Sequence, residues 1–394
     1  MEDADRVVVG YGEIGTKSSA VRGRMADRLA RNLRAILDDR GIQATVRSEW
    51  PRLYVATPDP PAAAEAVAEA PGVVFARPAY ECDAAMDAIR ETLRRAASDH
   101  DAHGRAGDDE DDDPSFAVRA RRDGDGHDFG STDVEREGGA AVVEATGAPV
   151  DLDDPDVTYR VEVRDDRAFV SAWSAAGPGG LPLGTHGRAV ALISGGIDSP
   201  VAAWEMMRRG CAVTPVYVDL GDYGGPDHRA RALETVRRLA RRAPNHDVRP
   251  REIPMGDLVA DLVEAVEDTR MLSLRRSMLR AAAVVASEVG AHSLVTGEAL
   301  GQKSSQTGGN LAVTDAAVDY PVHRPLLTWD KPDIVAAARD LGTYEDATIP
   351  VGCERVAPSY PETNASLHAV EAAEPADLFE RAEAAAADRR LVDG

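Results

Sequence analysis

The sequence predicts a multidomain chain of mixed α/β and α+β class. Three observations predict it. Strand-like and helix-like stretches follow the order β-α-β-β-α-β over the first 78 residues, and strands alternate with helices from Arg188 onward. Between them, "GPGGLPLGTHG" (177–187) has the composition of a linker. The first order is that of a ferredoxin-like unit, and the second that of a doubly wound sheet with mainly parallel strands. A length of 394 residues fits two or three domains.

The N-terminal unit opens with a β-branched strand from Arg6 to Gly10. A long helix follows, because Met25, Leu29, Leu33, Ile36 and Leu37 recur at helical spacing and Gly41 stands where a C-cap belongs. "IQATVRS" and "LYVATP" are strands joined by the turn "EWPR", too close for a crossover helix. A short helix, "PAAAEAVAEA", and a strand, "GVVFARP", complete the order. Gly10, Gly12 and Gly15 spell G-x-G-x-x-G, yet the second strand leads into a hairpin where a dinucleotide site needs a crossover helix. Thr16 also separates Gly15 from Lys17 and breaks P-loop spacing. These glycines are expected to form only the first β–α turn.

Residues 81–97 read as a helix with Met86, Ile89 and Leu93 on one face. The acidic, low-complexity stretch 98–114 reads as a disordered surface loop. Strands resume at "SFAVRARRDG" and "VTYRVEVRDDRAFVSAW", either side of a helical "STDVEREGGAAVVEATG". After the linker come the strand "AVALIS", a helix to Arg209, the strand "AVTPVYVD" and a helix from Arg229 to Arg242. A helical region from Gly256 to Glu288, the strand "SLVTG" and the proline-started helix "KPDIVAAARDLG" follow. An alanine-rich helix ends the chain after Pro375. The expected domains are 1–60, 61–176 and 188–394.

Composition narrows the setting. The formal charge is −23, lysine occurs only at positions 17, 303 and 331, and carboxylates run along the whole chain. This pattern looks like that of a salt-adapted proteome, because at molar salt the Debye length falls to about 3 Å and an acidic surface repels itself little. It does not exclude nucleic acid, since a local basic patch can bind it. No apolar run approaches a membrane span, and "MEDADR" is no export signal. Cys82, Cys211 and Cys353 are odd in number and far apart, which argues against a disulfide framework or a structural zinc site. A cytoplasmic location is expected.

"ALISGGIDSPVAAWEMMRRG" carries the chemistry. A glycine pair directly after a buried strand lets the N–H groups of Ser194, Gly195 and Gly196 turn toward an anion, and the helix starting near Ser199 adds its positive dipole end. Asp198 can hold Mg²⁺ there or simply cap the helix. The spacing S-G-G-x-D-S is that of PP-loop ATP pyrophosphatases, which cleave ATP between the α- and β-phosphates and adenylate a substrate. The G-K-[ST] of a Walker A loop is missing.

Together with "LVTGEALGQKSSQT", "HRPLLTWDKPDIVAAARDLGT" and "GPGGLPLG", this stretch resembles the tRNA 4-thiouridine synthetases (tRNA uracil 4-sulfurtransferases). The resemblance runs from "GEIGTK" to about Pro361. It implies a ferredoxin-like domain, a THUMP RNA-binding domain and a PP-loop domain. It also implies that ATP adenylates a uracil O4 in tRNA before sulfur displaces AMP. By the same resemblance, Leu192, Ile193, Tyr217, Val218, Arg275, Gly297 and Gln306 join Ser194, Gly195, Gly196, Asp198 and Ser199 as ATP contacts. Cys353 in "VGCERV" falls at the family's catalytic cysteine, although the local pattern departs from the usual one. Some relatives carry a C-terminal rhodanese domain with a second cysteine. No cysteine follows Cys353, so sulfide or a separate persulfide carrier is expected as donor.

Arg119, Arg121 and Arg122 in "FAVRARRDG" suit phosphate contacts on a folded RNA. The nine histidines are scattered and suggest no metal site. A competing reading is another PP-loop adenylating enzyme, such as a small-molecule ligase or a sulfur transferase for the thiazole of thiamine. It leaves the N-terminal half without a role. The oligomeric state, a homodimer included, is open.

Overall fold

The structure is a computed structural model and describes residues 4–104, 114–124, 126–303, 305–345 and 355–392. The chain divides into two units, Met1–Pro182 and Leu183–Gly394.

The first unit runs β1 (Arg6–Tyr11), α1 (Ser19–Asp39), β2 (Thr45–Glu49), β3 (Arg52–Ala56), α2 (Pro60–Ala68), β4 (Val73–Asp83) and α3 (Met86–Gly104). It continues with β5 (Phe116–Asp123), α4 (Ser131–Thr146), β6 (Val157–Arg164), β7 (Arg167–Ser171) and β8 (Ala175–Ala176). The sheet order is β2-β3-β1-β4-β7-β6-β5, with β8 also on β4. Its first four strands have the ferredoxin-like order. The 11-residue β4 links the two halves: Arg6–Val9 pair with its first part, and β7 pairs with Tyr80–Asp83. β5 and β6 are parallel, which requires a crossover, and α4 supplies it.

Strand alternation gives this sheet two different faces. Val7 and Val9 pack under α1 and α2 with Leu29, Leu33, Ile36 and Val67. Val8 points the other way, among Tyr54, Phe75, Ala79 and Phe169. The expected domain boundary at 60/61 falls in the first turn of α2, whose Ala63, Ala64 and Val67 belong to the same core as α1. Two expectations are corrected. Residues 81–83, read as the start of a helix, are the end of β4 and pair with β7. Residues 98–104, read as loop, are the last turns of α3. Buried Ala96 and Ala97 hold that helix on the sheet, and the Tyr80 hydroxyl donates to Asp99 beyond them.

The second unit runs β9 (Arg188–Ile193), α5 (Asp198–Arg208), β10 (Ala212–Asp219), α6 (Pro226–Ala240), β11 (Arg251–Pro254), α7 (Gly256–Ala265), α8 (Arg270–Val289) and β12 (Ser293–Val295). It ends with α9 (Gly308–Asp315), β13 (Val322–His323), α10 (Lys331–Leu341), α11 (Leu367–Ala373), α12 (Leu378–Ala387) and β14 (Arg390–Leu391). The order β13-β12-β9-β10-β11-β14 is parallel throughout except for the last pair. Chain order therefore reverses between β9 and β12, which places a crevice at their C-terminal ends. α12 buries Leu378, Ala382 and Ala386 in the core that α7 and α8 share, so the alanine-rich tail closes one face of the sheet.

Candidate nucleotide and RNA sites

The "SGGIDS" turn leaves the C-terminal end of β9 and enters α5, at the reversal of strand order. Its backbone donors have acceptors within the protein. Ser194 N–H donates to Ser199 Oγ (2.9 Å), Gly196 N–H to Ser194 Oγ (3.3 Å) and Gly195 N–H to His228 Nε2 (3.2 Å). The sequence alone allows all three to turn toward an anion. In the structure, hydroxyls and an imidazole hold them. Asp198 is the first residue of α5 and makes no cap, since Ile197 occupies the N-cap position. Its Oδ1 lies instead 2.7 Å from Lys331 Nζ, which also donates to Gln302 Oε1 (3.3 Å).

Two neighbouring strand ends complete the crevice. β10 sets Tyr217 opposite Ile193 and Val216 opposite Leu192. Tyr217 is fully buried with its hydroxyl 3.1 Å from His228 Nδ1, while the Val218 side chain belongs to the core under α7 and α8. Gly297, just past β12, lies against the start of α5. A Cβ there would stand 2.6 Å from Ser199 N and 2.7 Å from Asp198 C, both backbone atoms, so no side chain fits.

Arg275, on α8, meets the loop after Gly297. Its Nη1 donates to Ser305 Oγ (2.9 Å), and its Nε lies 3.6 Å from Glu298 Oε1. Buried Glu298 also accepts from Arg324 (2.8 Å), which pairs with Asp315 (2.6 Å). Gln306 Oε1 and Gln302 Nε2 are buried without a hydrogen-bond partner among the described residues. The structure thus gathers Ser194, Gly195, Gly196, Asp198, Ser199, Tyr217 and Gly297 around one turn. It ties Arg275 to the loop that carries Gln306. Cys353 lies outside the described residues. Cys82 and Cys211 are half-buried, and burial pushes both thiols up, which suits packing more than nucleophilic chemistry. Among the described residues no cluster of three or more His, Cys, Asp or Glu side chains could hold a metal ion.

In the first unit, the sheet face opposite the helices is coated with arginine. Arg119 and Arg121 of β5 line a cavity of about 260 Å³ with Arg52, Arg77, Arg160, Phe75, Phe169 and Glu162. The Arg77 guanidinium lies over Phe75, 3.6 Å from the ring centroid. Burial and neighbouring Arg160 push Arg77 down to about 10, so it stays charged at neutral pH while crowded by like charges. Glu162 is the one carboxylate lining the cavity, and it already pairs with Arg52 (3.1 Å) and with Arg164. Arg122 points the opposite way, donating to the carbonyls of His127 (3.1 Å) and Phe129 (3.0 Å). The i, i+2 spacing of Arg119 and Arg121 was the only signal in sequence. Arg52, Arg77 and Arg160 come from three other strands.

A probable tRNA sulfurtransferase of the halophile Halobacterium salinarum is 54% identical over 394 residues, covering 99% of this chain and 98% of its own length. The chain belongs to the tRNA sulfurtransferase family. A second probable tRNA sulfurtransferase, from Methanosarcina acetivorans, is 39% identical over 91% of this chain and 86% of its own. The family description "Thiamine biosynthesis protein (ThiI)" matches residues 184–378, a THUMP domain matches 83–172, and the ThiI ferredoxin-like domain matches 6–76. A crystal structure of a 4-thiouridine synthetase–RNA complex with bound ATP superposes with a TM-score of 0.84 at 27% identity, covering 99% of both chains. The fold is shared with a Pyrococcus horikoshii protein as well (TM-score 0.67, 23% identity, 86% of this chain and 99% of that one). In this tRNA sulfurtransferase-family chain, Gly10, the first of the opening glycines, serves packing, whereas a Cβ on Gly15 would meet nothing within 4 Å. A Cβ on Gly10 would stand 2.1 Å from the Phe75 ring, which lies across it.

Proposed function

We propose that this chain uses ATP and Mg²⁺ to adenylate the O4 of a uridine in tRNA, and that sulfur then displaces AMP to leave 4-thiouridine. The observation that carries the reading is the "SGGIDS" turn at the end of β9, where the strand order of a parallel sheet reverses. An amide-like oxygen leaves poorly, whereas AMP leaves well, and adenylation supplies that difference. The residues present fit the nucleotide. Gly297 keeps the mouth of the turn clear of side-chain atoms, and the unpartnered Gln306 Oε1 is an acceptor for a ligand donor. The start of α5 favours phosphate charge, Lys331 adds a cation, and Asp198 is the carboxylate for Mg²⁺. Leu192, Ile193, Ser194 and Tyr217 would border the base and sugar, with Arg275 toward the phosphates.

We assign the first unit to RNA. The cationic face of Arg52, Arg77, Arg119, Arg121 and Arg160 suits phosphates, and Phe75 offers an apolar floor. Cys353 is assigned to sulfur delivery from a persulfide carrier, whose outer sulfur it takes by exchange with release of the carrier's thiol, a thiol reductant later freeing the thiouridine. Free sulfide would displace AMP directly, and the setting is a reducing cytoplasm. No helix among the described residues is long and apolar enough to cross a membrane.

The test is incubation with Mg·ATP, a sulfide source and unmodified tRNA in molar KCl. Expected are tRNA-dependent pyrophosphate release and the near-UV absorbance of thiouridine, both abolished by Asp198→Ala. With a persulfide donor, Cys353→Ser should keep pyrophosphate release and lose thiouridine. Absence of tRNA-dependent pyrophosphate release overturns the reading.

A further inference from the structure

We propose that His228 is a positioning residue of the nucleotide turn, a neutral imidazole whose Nε2 lone pair fixes Gly195 and whose Nδ1 proton is held by Tyr217. The proposal rests on reading "SGGIDS" as the ATP site.

His228 stands in the first turn of α6 and is 2% exposed. Both of its ring nitrogens are used. Gly195 N–H reaches Nε2 at 3.2 Å, and Tyr217 Oη lies 3.1 Å from Nδ1. A backbone N–H can only donate, so Nε2 must carry its lone pair. The neutral ring then has its proton on Nδ1, where the phenol oxygen accepts it. The contact is also steric: a Cβ on Gly195 would stand 3.0 Å from His228 Cδ2 and 3.0 Å from its carbonyl oxygen. One ring thereby joins the turn after β9, the end of β10 and the start of α6.

The other two donors of the turn are held by Ser194 and Ser199, within the turn and its own helix. Among the described residues, His228 is the acceptor that comes from elsewhere. It therefore sets where the turn sits relative to Tyr217. Protonating Nε2 would put a donor against a donor and push Gly195 away.

The surroundings keep the ring neutral. Burial pushes the imidazole below its ordinary 6.5 and Arg231, on the same helix, pushes the same way, while Asp219 at the end of β10 opposes them. The turn and Tyr217 bring only neutral groups to the ring. Among nine scattered histidines, nothing in the sequence singled this one out.

The experiment measures Mg·ATP affinity of the full chain by calorimetry in molar KCl between pH 5.5 and 8, for the unmodified chain, His228→Gln and His228→Leu. The Gln carboxamide oxygen reaches the place of Nε2 and accepts from Gly195 at any pH. Affinity of the unmodified chain should fall as the pH drops below the ordinary imidazole value of 6.5. His228→Gln should stay within about threefold at neutral pH and lose that additional acid fall. His228→Leu, with the Gly195 donor left unpaired, should bind about tenfold more weakly at every pH. A folded His228→Leu that binds as the unmodified chain does, or an acid fall kept in full by His228→Gln, overturns the proposal while ATP binding stands. An unmodified chain that does not bind ATP overturns the nucleotide reading and this proposal with it.

Discussion

Lys331 Nζ lies 2.7 Å from Asp198 Oδ1, so a lysine at the first position of α10 meets the acid that opens α5. In a chain with three lysines among 45 basic residues, the choice of lysine here has a physical reason. An ammonium is a compact point charge that can serve a carboxylate, an amide oxygen and a phosphate in turn. A guanidinium would lock into a planar fork on the carboxylate.

Lys331→Met should lower tRNA-dependent pyrophosphate release by about 10- to 100-fold, with Lys331→Arg restoring only part of it. The loss from Lys331→Met combined with Asp198→Asn should be smaller than the product of the single losses, because the two groups act as a unit. Initial rates of pyrophosphate release for the four chains decide it. Multiplicative losses would show that the ion pair has no role in turnover.

Gly297→Ala should weaken ATP binding at least tenfold, because the added carbon collides with the backbone of Asp198 and Ser199 and displaces the start of α5. Gly23→Ala is the control. It lies inside α1 with no atom near a new Cβ, and should stabilise the chain by about 0.5–1 kcal/mol. Calorimetric titration and thermal melts of both variants separate a local collision from general damage.

Replacing Arg77, Arg121 or Arg160 by alanine should weaken tRNA binding several-fold. The slope of log affinity against log salt should fall by about one for each phosphate that the variant no longer neutralises. Arg122→Ala should leave that slope unchanged, since its guanidinium serves the loop carbonyls of His127 and Phe129. Filter binding across a salt series reads both values. None of these variants should alter ATP affinity.

Legibility in the sequence followed the range of the interactions. The "SGGIDS" turn and the strands around it are local patterns, and their positions were readable directly. The arginine face was half readable: the sequence puts Arg119, Arg121 and Arg122 on one strand, but strand alternation turns Arg122 away, and only strand pairing brings Arg52, Arg77 and Arg160 beside the other two. His228 and Lys331 reach the turn from α6 and α10, 33 and 133 residues from their partners, with no local mark. β11 escaped because "REIP" is short, half charged and bounded by Pro250 and Pro254, so only its pairing with β10 on one side and β14 on the other makes it a strand. Acidity misled at 98–104, where buried alanines just upstream carry the helix on.

Among the described residues Arg276 is the largest fully buried side chain, and it ties the C-terminal helices to α8. Its Nε lies 2.8 Å from Glu374 Oε1, its Nη1 donates to the Val313 carbonyl (2.8 Å), and its guanidinium sits 5.2 Å from the Phe379 ring centroid. Arg276→Ala should cost about 3–5 kcal/mol, because it leaves a buried carboxylate without its cation. Arg276→Met paired with Glu374→Leu should recover most of that, since a packed apolar pair avoids the desolvation cost. Burial holds the Glu374 carboxyl above its ordinary 4.5 despite Arg276. The native state therefore binds the proton more tightly than the unfolded chain does. The resulting stability is fully present below 4.5 and is lost as the pH rises through the native value. Glu374→Gln removes this term, so the stability of the unmodified chain relative to the variant should decline as pH rises through that window. Denaturant melts at a series of pH values measure the difference. A constant offset would mean that Glu374 titrates alike in both states.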